Sequence, residues 1–179
     1  MFTPVRPMQA ACCQLCALNF VSHAKAKAAA LAAREERKAD RAKLDSMKRL
    51  GELRSEAQAV FNRYIRLRDA GMPCICCGKP LGDARFGGAY DAGHYLSRGS
   101  HPNLAFDEVN VNAQRKSCNR PGGTTAAQFR LGMIARYGLE AVERLEADQA
   151  PRQYRHGDYR EIKRVYAQKA RELLKERVQ

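Results

Sequence analysis

Nothing in the 179 residues approaches the roughly 18 consecutive apolar side chains of a membrane-spanning helix. Tryptophan is absent, and no basic segment carries an opposing Phe/Leu face, which argues against a helix lying on a membrane surface. The first 21 residues hold a short apolar run but only one positive charge and no clear cleavage site, so no signal peptide is expected. The chain also lacks the even cysteine count of a secreted disulfide framework. Its seven cysteines fall in tight groups, the pattern of metal ligands in an intracellular protein. No internal repeat is present. Acidic residues are scarce: 19 Asp and Glu face 32 Lys and Arg, for a net charge of +13. The excess is positive along the whole chain, so it is not one basic tail. A protein this basic usually meets a polyanion, with nucleic acid the default. An apolar share of 45% with 28% charged residues is a globular mixture, enough for one domain with helical extensions.

The chain divides by texture. Within residues 1–21, Cys13-Gln-Leu-Cys16 is half of a zinc knuckle with no upstream pair. It reads as the remnant of an N-terminal knuckle in a chain that starts late, or as two unrelated buried cysteines. Residues 22–71 form a basic helical arm, with Ser22 as the expected N-cap. Its low-complexity Ala/Lys/Arg/Glu half, 24–43, has no apolar stripe and stands in solvent or on a partner. Arg37, Lys38, Arg41 and Lys43 there are candidate nucleic-acid contacts, with a solvated helix surface as the alternative. From Leu44 the apolar residues Leu44, Met47, Leu50, Ala57, Val60, Phe61, Tyr64 and Leu67 recur at helical spacing and predict one buried stripe. Asp69-Ala-Gly71 followed by Pro73 ends the helix. Nine of the 13 glycines fall between Gly71 and Gly123, and residues 72–123 hold four of the seven prolines, so short strands and turns are expected, with Ala89-Tyr90-Asp91 and Phe106 as strand positions. Residues 124–179 return to helix. Thr124 or Thr125 caps a segment with Phe129, Met133, Ile134 and Tyr137, closed by Gly138, and a short helix carries Val142 and Leu145. Asp158-Tyr-Arg-Glu161 reads as a capping box before a last helix with Ile162, Val165, Tyr166, Leu173 and Leu174 on its buried side.

Chemistry concentrates between Cys74 and Asn119. Cys74-Ile-Cys-Cys77-Gly is a knuckle turn: Cys74 and Cys77 can face one tetrahedral ion, the Gly permits the tight turn, and Cys76 points away. A buried cysteine pair packed as small hydrophobes is the alternative. In Asp91-Ala-Gly-His94-Tyr, Asp91 supplies a hard oxygen suited to Mg²⁺ or Mn²⁺, and a neutral His94 imidazole can take a proton from water. Farther on, Cys118 is placed to return to the knuckle as a third zinc ligand, and Asn119 to reach a second metal near His94. Asn110 is placed to hydrogen-bond His94 and orient it, or is simply a turn residue. Arg98, Arg115 and Lys116 are further candidate nucleic-acid contacts.

The order Cys-x-x-Cys, Asp…His, Asn, Cys-Asn resembles the HNH, or ββα-metal, nucleases, above all the endonuclease VII-like junction resolvases. Over residues 40–179 the chain is more closely similar to the NinG (Rap) family of lambdoid-phage recombination proteins. The likeness rests on Pro73-Cys-Ile-Cys-Cys-Gly78, Asp91-Ala-Gly-His-Tyr95, Phe106-Asp-Glu-Val-Asn-Val111, Cys118-Asn119 and Ile134-Ala-Arg-Tyr-Gly-Leu-Glu-Ala-Val142. The resemblance implies a DNA endonuclease acting on Holliday junctions and D-loops in the cytoplasm of a bacterial host. One departure bears on zinc: the family pattern expects Cys-x-x-Cys-Asn at the end, and Arg115 stands where the first of those cysteines belongs. Cys74, Cys77 and Cys118 then remain, with the fourth ligand missing.

The expected fold class is α+β, a small ββα-metal (HNH-like) zinc-knuckle core between a long basic N-terminal helix and a C-terminal helical bundle. The expected activity is DNA phosphodiester hydrolysis. His94 acts as general base, Asn110 orients it, Asp91 and Asn119 hold Mg²⁺ or Mn²⁺, and Zn²⁺ is structural. Symmetric cutting of a junction favours a homodimer, by symmetry matching alone. Two rival readings stay open: an HNH enzyme nicking ordinary duplex, and a non-catalytic zinc-knuckle DNA-binding protein.

Overall fold

The computed structural model describes residues 4, 6, 7, 9, 11–82 and 90–177. Two compact units result, divided between Lys48 and Arg49. The first is dominated by one helix, α1 (Gln14–Ser46), of which no residue is buried. Its alanines and long charged side chains favour helix without tertiary support. Ser22 is not its N-cap. The preceding residues Leu15–Val21 are helix-competent, so the helix starts at Gln14 and Ser22 turns its hydroxyl back to the Asn19 carbonyl, 2.9 Å away.

The second unit opens with α2 (Leu50–Arg68), started by Glu52, whose carboxylate accepts the Arg49 backbone N–H at 2.7 Å. The helix expected to run unbroken from 22 to 71 is therefore two helices. Leu44, Met47 and Leu50, assigned to the buried stripe, are 66%, 72% and 41% exposed. The stripe begins at Leu53 and continues through Ala57, Phe61, Tyr64 and Ile65. The apolar spacing carries across the break at residues 47–49, whereas the burial does not.

The rest of the unit is β1 (Tyr90–His94), a single 3-10 turn (Pro102–Leu104), β2 (Val111–Arg115), α3 (Ala126–Tyr137), α4 (Leu139–Ala147) and α5 (His156–Glu176). The strands form an antiparallel hairpin in which Asp91 pairs with Gln114 and His94 with Val111. Of the expected strand positions, Ala89 lies outside the described residues and Phe106 is not in a strand. Phe106 packs its ring edge-on against Phe61 and Tyr154, so its burial serves an aromatic cluster rather than a sheet face. Thr125 caps α3 through Gln128, and Gly138 stands between α3 and α4. Asp158 is not the cap of α5. It sits in the first turn and accepts the Arg155 backbone N–H at 2.7 Å.

The C-terminal helices do not form one bundle. Phe129 and Met133 of α3 and Val142 and Leu145 of α4 pack on Ile75 and Leu104. α5 instead lies along α2. Leu53 and Ala57 meet Tyr159 and Ile162, while Phe61, Tyr64 and Ile65 meet Tyr166, Ala170 and Leu173. The two helices therefore run in the same direction, and the chain between them holds the knuckle, the hairpin and the α3/α4 pair. Burial of side chains such as Phe61 and Ile65 contributes roughly 1.5–3 kcal/mol each, which fixes α2 against the hairpin's surroundings.

Candidate metal centre and polar cleft

The knuckle forms as a tight loop. Cys74 N–H donates to the Lys79 carbonyl at 2.9 Å, and Gly78 N–H to the Cys74 carbonyl at 3.0 Å. Gly78 has φ of +67°, a conformation that side chains rarely take. Ile75 N–H reaches the Ala113 carbonyl at 3.2 Å and ties the loop to β2. After β2 the chain turns at once, with the N–H groups of both Cys118 and Asn119 on the Arg115 carbonyl. That turn returns Cys118 to the knuckle. The Sγ atoms of Cys74, Cys77 and Cys118 lie within 4.8 Å of one another, with Cys74 and Cys118 buried and Cys77 exposed.

This set fits a thiophilic ion such as zinc. Arg115 N–H donates to Cys74 Sγ at 3.3 Å. Burial alone would raise the Cys74 pKa, but the N–H groups of Arg115, Cys77 and Cys76 outweigh it and lower the value. The donors that favour the thiolate come from the fold itself. Cys118 is pushed up to about 11 by burial and by its neighbours Cys77 and Cys74. Cys76 leaves the cluster: its Sγ accepts from Gln114 Nε2 at 3.0 Å, and burial pushes its pKa up to about 12. A second triad, Cys12, Cys13 and Cys16, lies in the first unit and is fully exposed. Sequence reasoning singled out Cys13 and Cys16 but passed over Cys12, whose Sγ is 3.3 Å from that of Cys16.

Beside the knuckle opens a polar cleft of about 490 Å³, lined by His94, Asn119, Arg98, Arg54 and Asn62 among others. His94 ends β1. Its Nε2 lies 3.1 Å from the Ala105 carbonyl, which fixes this nitrogen as the donor and leaves the Nδ1 lone pair for a proton. Burial, and to a lesser degree the Arg98 charge, brings the His94 pKa down to about 4, against the opposing pull of the Ala105 carbonyl. The imidazole is neutral at physiological pH.

Asn110 does not hydrogen-bond His94, contrary to the sequence expectation. Fully buried, it accepts from Leu96 N–H at 2.8 Å and donates to the carbonyls of Leu96 and Leu104 at 3.0 and 2.9 Å. Its amide clamps both ends of the loop whose Ala105 carbonyl holds His94, so any orienting effect passes through the backbone. Asp91 departs in a different way. Side chains alternate along a strand, so Asp91 and His94 leave β1 on opposite faces. Asp91 reaches the cleft through Asn119, whose Nδ2 donates to its carboxylate at 3.2 Å. Gly93, between them, is required by close approach: a Cβ there would lie 2.0 Å from the Gln114 side chain, which is itself pinned on Cys76 and the Cys118 carbonyl.

Of the basic candidates, Arg98 lines the cleft, Arg115 is half-buried at the end of β2, and Lys116 is exposed in the turn after it. Arg37, Lys38, Arg41 and Lys43 are exposed on α1. Arg54 and Asn62 of α2 were missed by sequence reasoning. A signal was available: Arg54, Gln58 and Asn62 recur every four residues as a polar row beside the apolar stripe. Also missed was Asp69, read only as part of a helix stop. Its carboxylate is 1% exposed and accepts from Arg68 Nε, Ala113 N–H and Arg136 Nη1 at 2.7, 2.7 and 3.3 Å, which joins α2, β2 and α3 behind the hairpin.

The arrangement defines a small α+β protein with a three-cysteine cluster that could hold a metal ion, beside a polar cleft lined by His94 and Asn119. The family model "Bacteriophage Lambda NinG protein" matches residues 1–176, and the chain belongs to that family. It is 36% identical over 118 residues to Protein ninG of Salmonella phage P22, covering 66% of this chain and 56% of that one. It is 36% identical over 122 residues to Protein ninG of Escherichia phage 933W, and 34% over 122 residues to that of Escherichia phage lambda. The alignments take in 68% of this chain in both cases, and 58% and 57% of the relatives. The chain thus spans little more than half the length of the curated relatives it matches. No solved structure matches it.

Proposed function

We propose that the chain is a metal-dependent DNA endonuclease of phage recombination, acting in the host cell on branched DNA such as four-way junctions and D-loops. The observation that carries this reading is the set of free valences in one cleft. His94 spends Nε2 on Ala105 and keeps Nδ1. Asn119 spends Nδ2 on Asp91 and keeps Oδ1. A base and a hard oxygen ligand then share a cleft that also holds cationic side chains. Asp91 and Asn119 offer two hard oxygens, and Mg²⁺ or Mn²⁺ completes such a set with water. Bound there, the ion would acidify water and neutralise charge on the phosphate. His94 Nδ1 would take the proton of the attacking water as its oxygen bonds to phosphorus. The opposite P–O bond breaks, and its oxygen leaves with a proton from solvent. Asp91 would act twice, as a ligand and as the group that orients Asn119. The knuckle would hold the turn on which Asn119 sits, since Cys118 precedes it directly.

Purified protein with Mg²⁺ or Mn²⁺ on labelled four-way junction, D-loop, duplex and single strand is the test. His94→Ala should lower cleavage by about 10²–10⁴-fold, the usual contribution of a general base, with DNA affinity nearly unchanged. Residual cleavage above a tenth of wild type would remove His94 from that role. No cleavage of any substrate by the wild type would leave a DNA-binding protein.

A further inference from the structure

Arg54, Asn62 and Arg98 line the cleft with His94 and Asn119, and none of them belongs to the Cys, Asp-His or Cys-Asn motifs. Arg54 and Asn62 come from α2, on one face of the helix two turns apart, and Arg98 follows β1. Among the described residues neither Arg54 nor Arg98 has an ion-pair partner. Two guanidinium groups therefore line one cleft with no carboxylate paired to either among the described residues, a concentration of positive charge that suits an anion. Asn62 is set to donate. Its Oδ1 is occupied by Nε2 of the buried Gln58 at 2.8 Å, which leaves the Nδ2 hydrogens for a ligand. Elsewhere on α2, Phe61 and Ile65 are fully buried, so the row is carried on a fixed element.

We infer that α2 contributes a phosphate clamp: Arg54 and Asn62, together with Arg98, bind the non-bridging oxygens of a phosphate beside His94 and Asn119. That this phosphate is a DNA phosphodiester rests on the endonuclease reading; that the cleft takes a tetrahedral oxyanion does not. Guanidinium forks match phosphate oxygens in pairs, and the Asn amide adds a neutral donor. The clamp makes α2 a binding element and not only a scaffold.

The test titrates the full chain with inorganic phosphate, without divalent ions, against chloride at equal ionic strength. The side-chain NMR signals of Arg54, Arg98 and Asn62 are the readout. Saturable shifts at all three are expected with phosphate and not with chloride. Arg54→Gln should weaken phosphate binding about tenfold, the worth of one charge-assisted hydrogen bond, and Arg54→Lys should fall between the two. Arg54 is exposed, so melting should be unchanged by either variant. Shifts that follow ionic strength alone, or equal phosphate affinity in Arg54→Gln, overturn the clamp. A wild type that cuts DNA while failing this titration keeps the endonuclease reading and loses the clamp. One that binds phosphate at these residues but cuts nothing keeps the clamp and loses the endonuclease.

Discussion

His94 carries a measurable consequence in acid, independent of any reaction. Its pKa falls to about 4 in the fold, against 6.5 for a free imidazole, because burial opposes the charged form. Between those values the unfolded chain binds a proton that the folded one refuses. Stability from this group is therefore intact above pH 6.5 and is lost as pH falls toward 4, by roughly 3 kcal/mol at the lower end. His94→Gln should remove that slope. Urea midpoints for both proteins at pH 7 and pH 4.5 check it: equal acid loss in the two would show that His94 titrates normally. At this scale the sequence was informative about residue types and poor about partners. Asp91, His94 and Asn119 could be picked out because their chemistry is uncommon in a Gly-rich turn region. Their contacts could not. Asn110 works on Leu96 and Leu104 rather than on His94, because a buried amide with four hydrogen-bonding positions is satisfied most fully by backbone. Asp69 looked like helix punctuation, since two of its three partners, Ala113 of β2 and Arg136 of α3, are brought to it only by the folded chain.

Among the elements, the knuckle and the turn after β2 act as one piece. Cys118 completes the thiol cluster and Asn119, the next residue, lines the cleft, so anything that loosens the cluster displaces Asn119. Arg115 is where this piece is weak. Its backbone N–H is already 3.3 Å from Cys74 Sγ, so a thiol at this position starts beside the cluster. Arg115→Cys should supply a fourth ligand, raise zinc retention during dialysis against chelator, and raise the melting temperature, because metal binding stabilises the folded state alone. Equal metal content and equal melting in the two proteins would remove the idea of a knuckle left incomplete by Arg115. Helices were legible from periodicity and caps, and the α3 cap at Thr125 and the Gly138 junction were readable in the residues themselves. The end of α1 was not. Leu44, Met47 and Leu50 keep the helical spacing of the α2 stripe, and spacing carries no information about burial. The parallel pairing of α2 with α5 was equally hidden, since it depends on packing across about a hundred residues of chain.

For the molecule as a whole, the question is how a charge of +13 is distributed. α1, with 33 residues, is roughly 50 Å long at 1.5 Å per residue, and it buries nothing. Its Arg37, Lys38, Arg41 and Lys43 are exposed, and the ion pair of Lys38 with Glu35 at 3.6 Å is too exposed to hold either side chain in place. On the proposed reading, such a helix would meet phosphates by position along a backbone and not bases by their edges. A second set of cations, Arg54 and Arg98, sits at the cleft. Four-way junctions and D-loops bring several phosphate strands within reach of one molecule, so separate basic surfaces neutralise more charge there than on a single duplex. Tighter binding to junction than to matched duplex is therefore expected, with little dependence on sequence. Replacing Arg37, Lys38, Arg41 and Lys43 together by Gln should weaken binding and flatten its dependence on salt, by up to about 0.9 in the log–log slope for each phosphate no longer neutralised. The position of the cut should not move, because the cleft lies in the other unit. Competition binding at several salt concentrations decides the matter. Equal affinity for junction and duplex would replace the resolvase reading with a nicking enzyme of ordinary DNA, and an unchanged salt slope in the four-fold variant would remove α1 from the DNA interface.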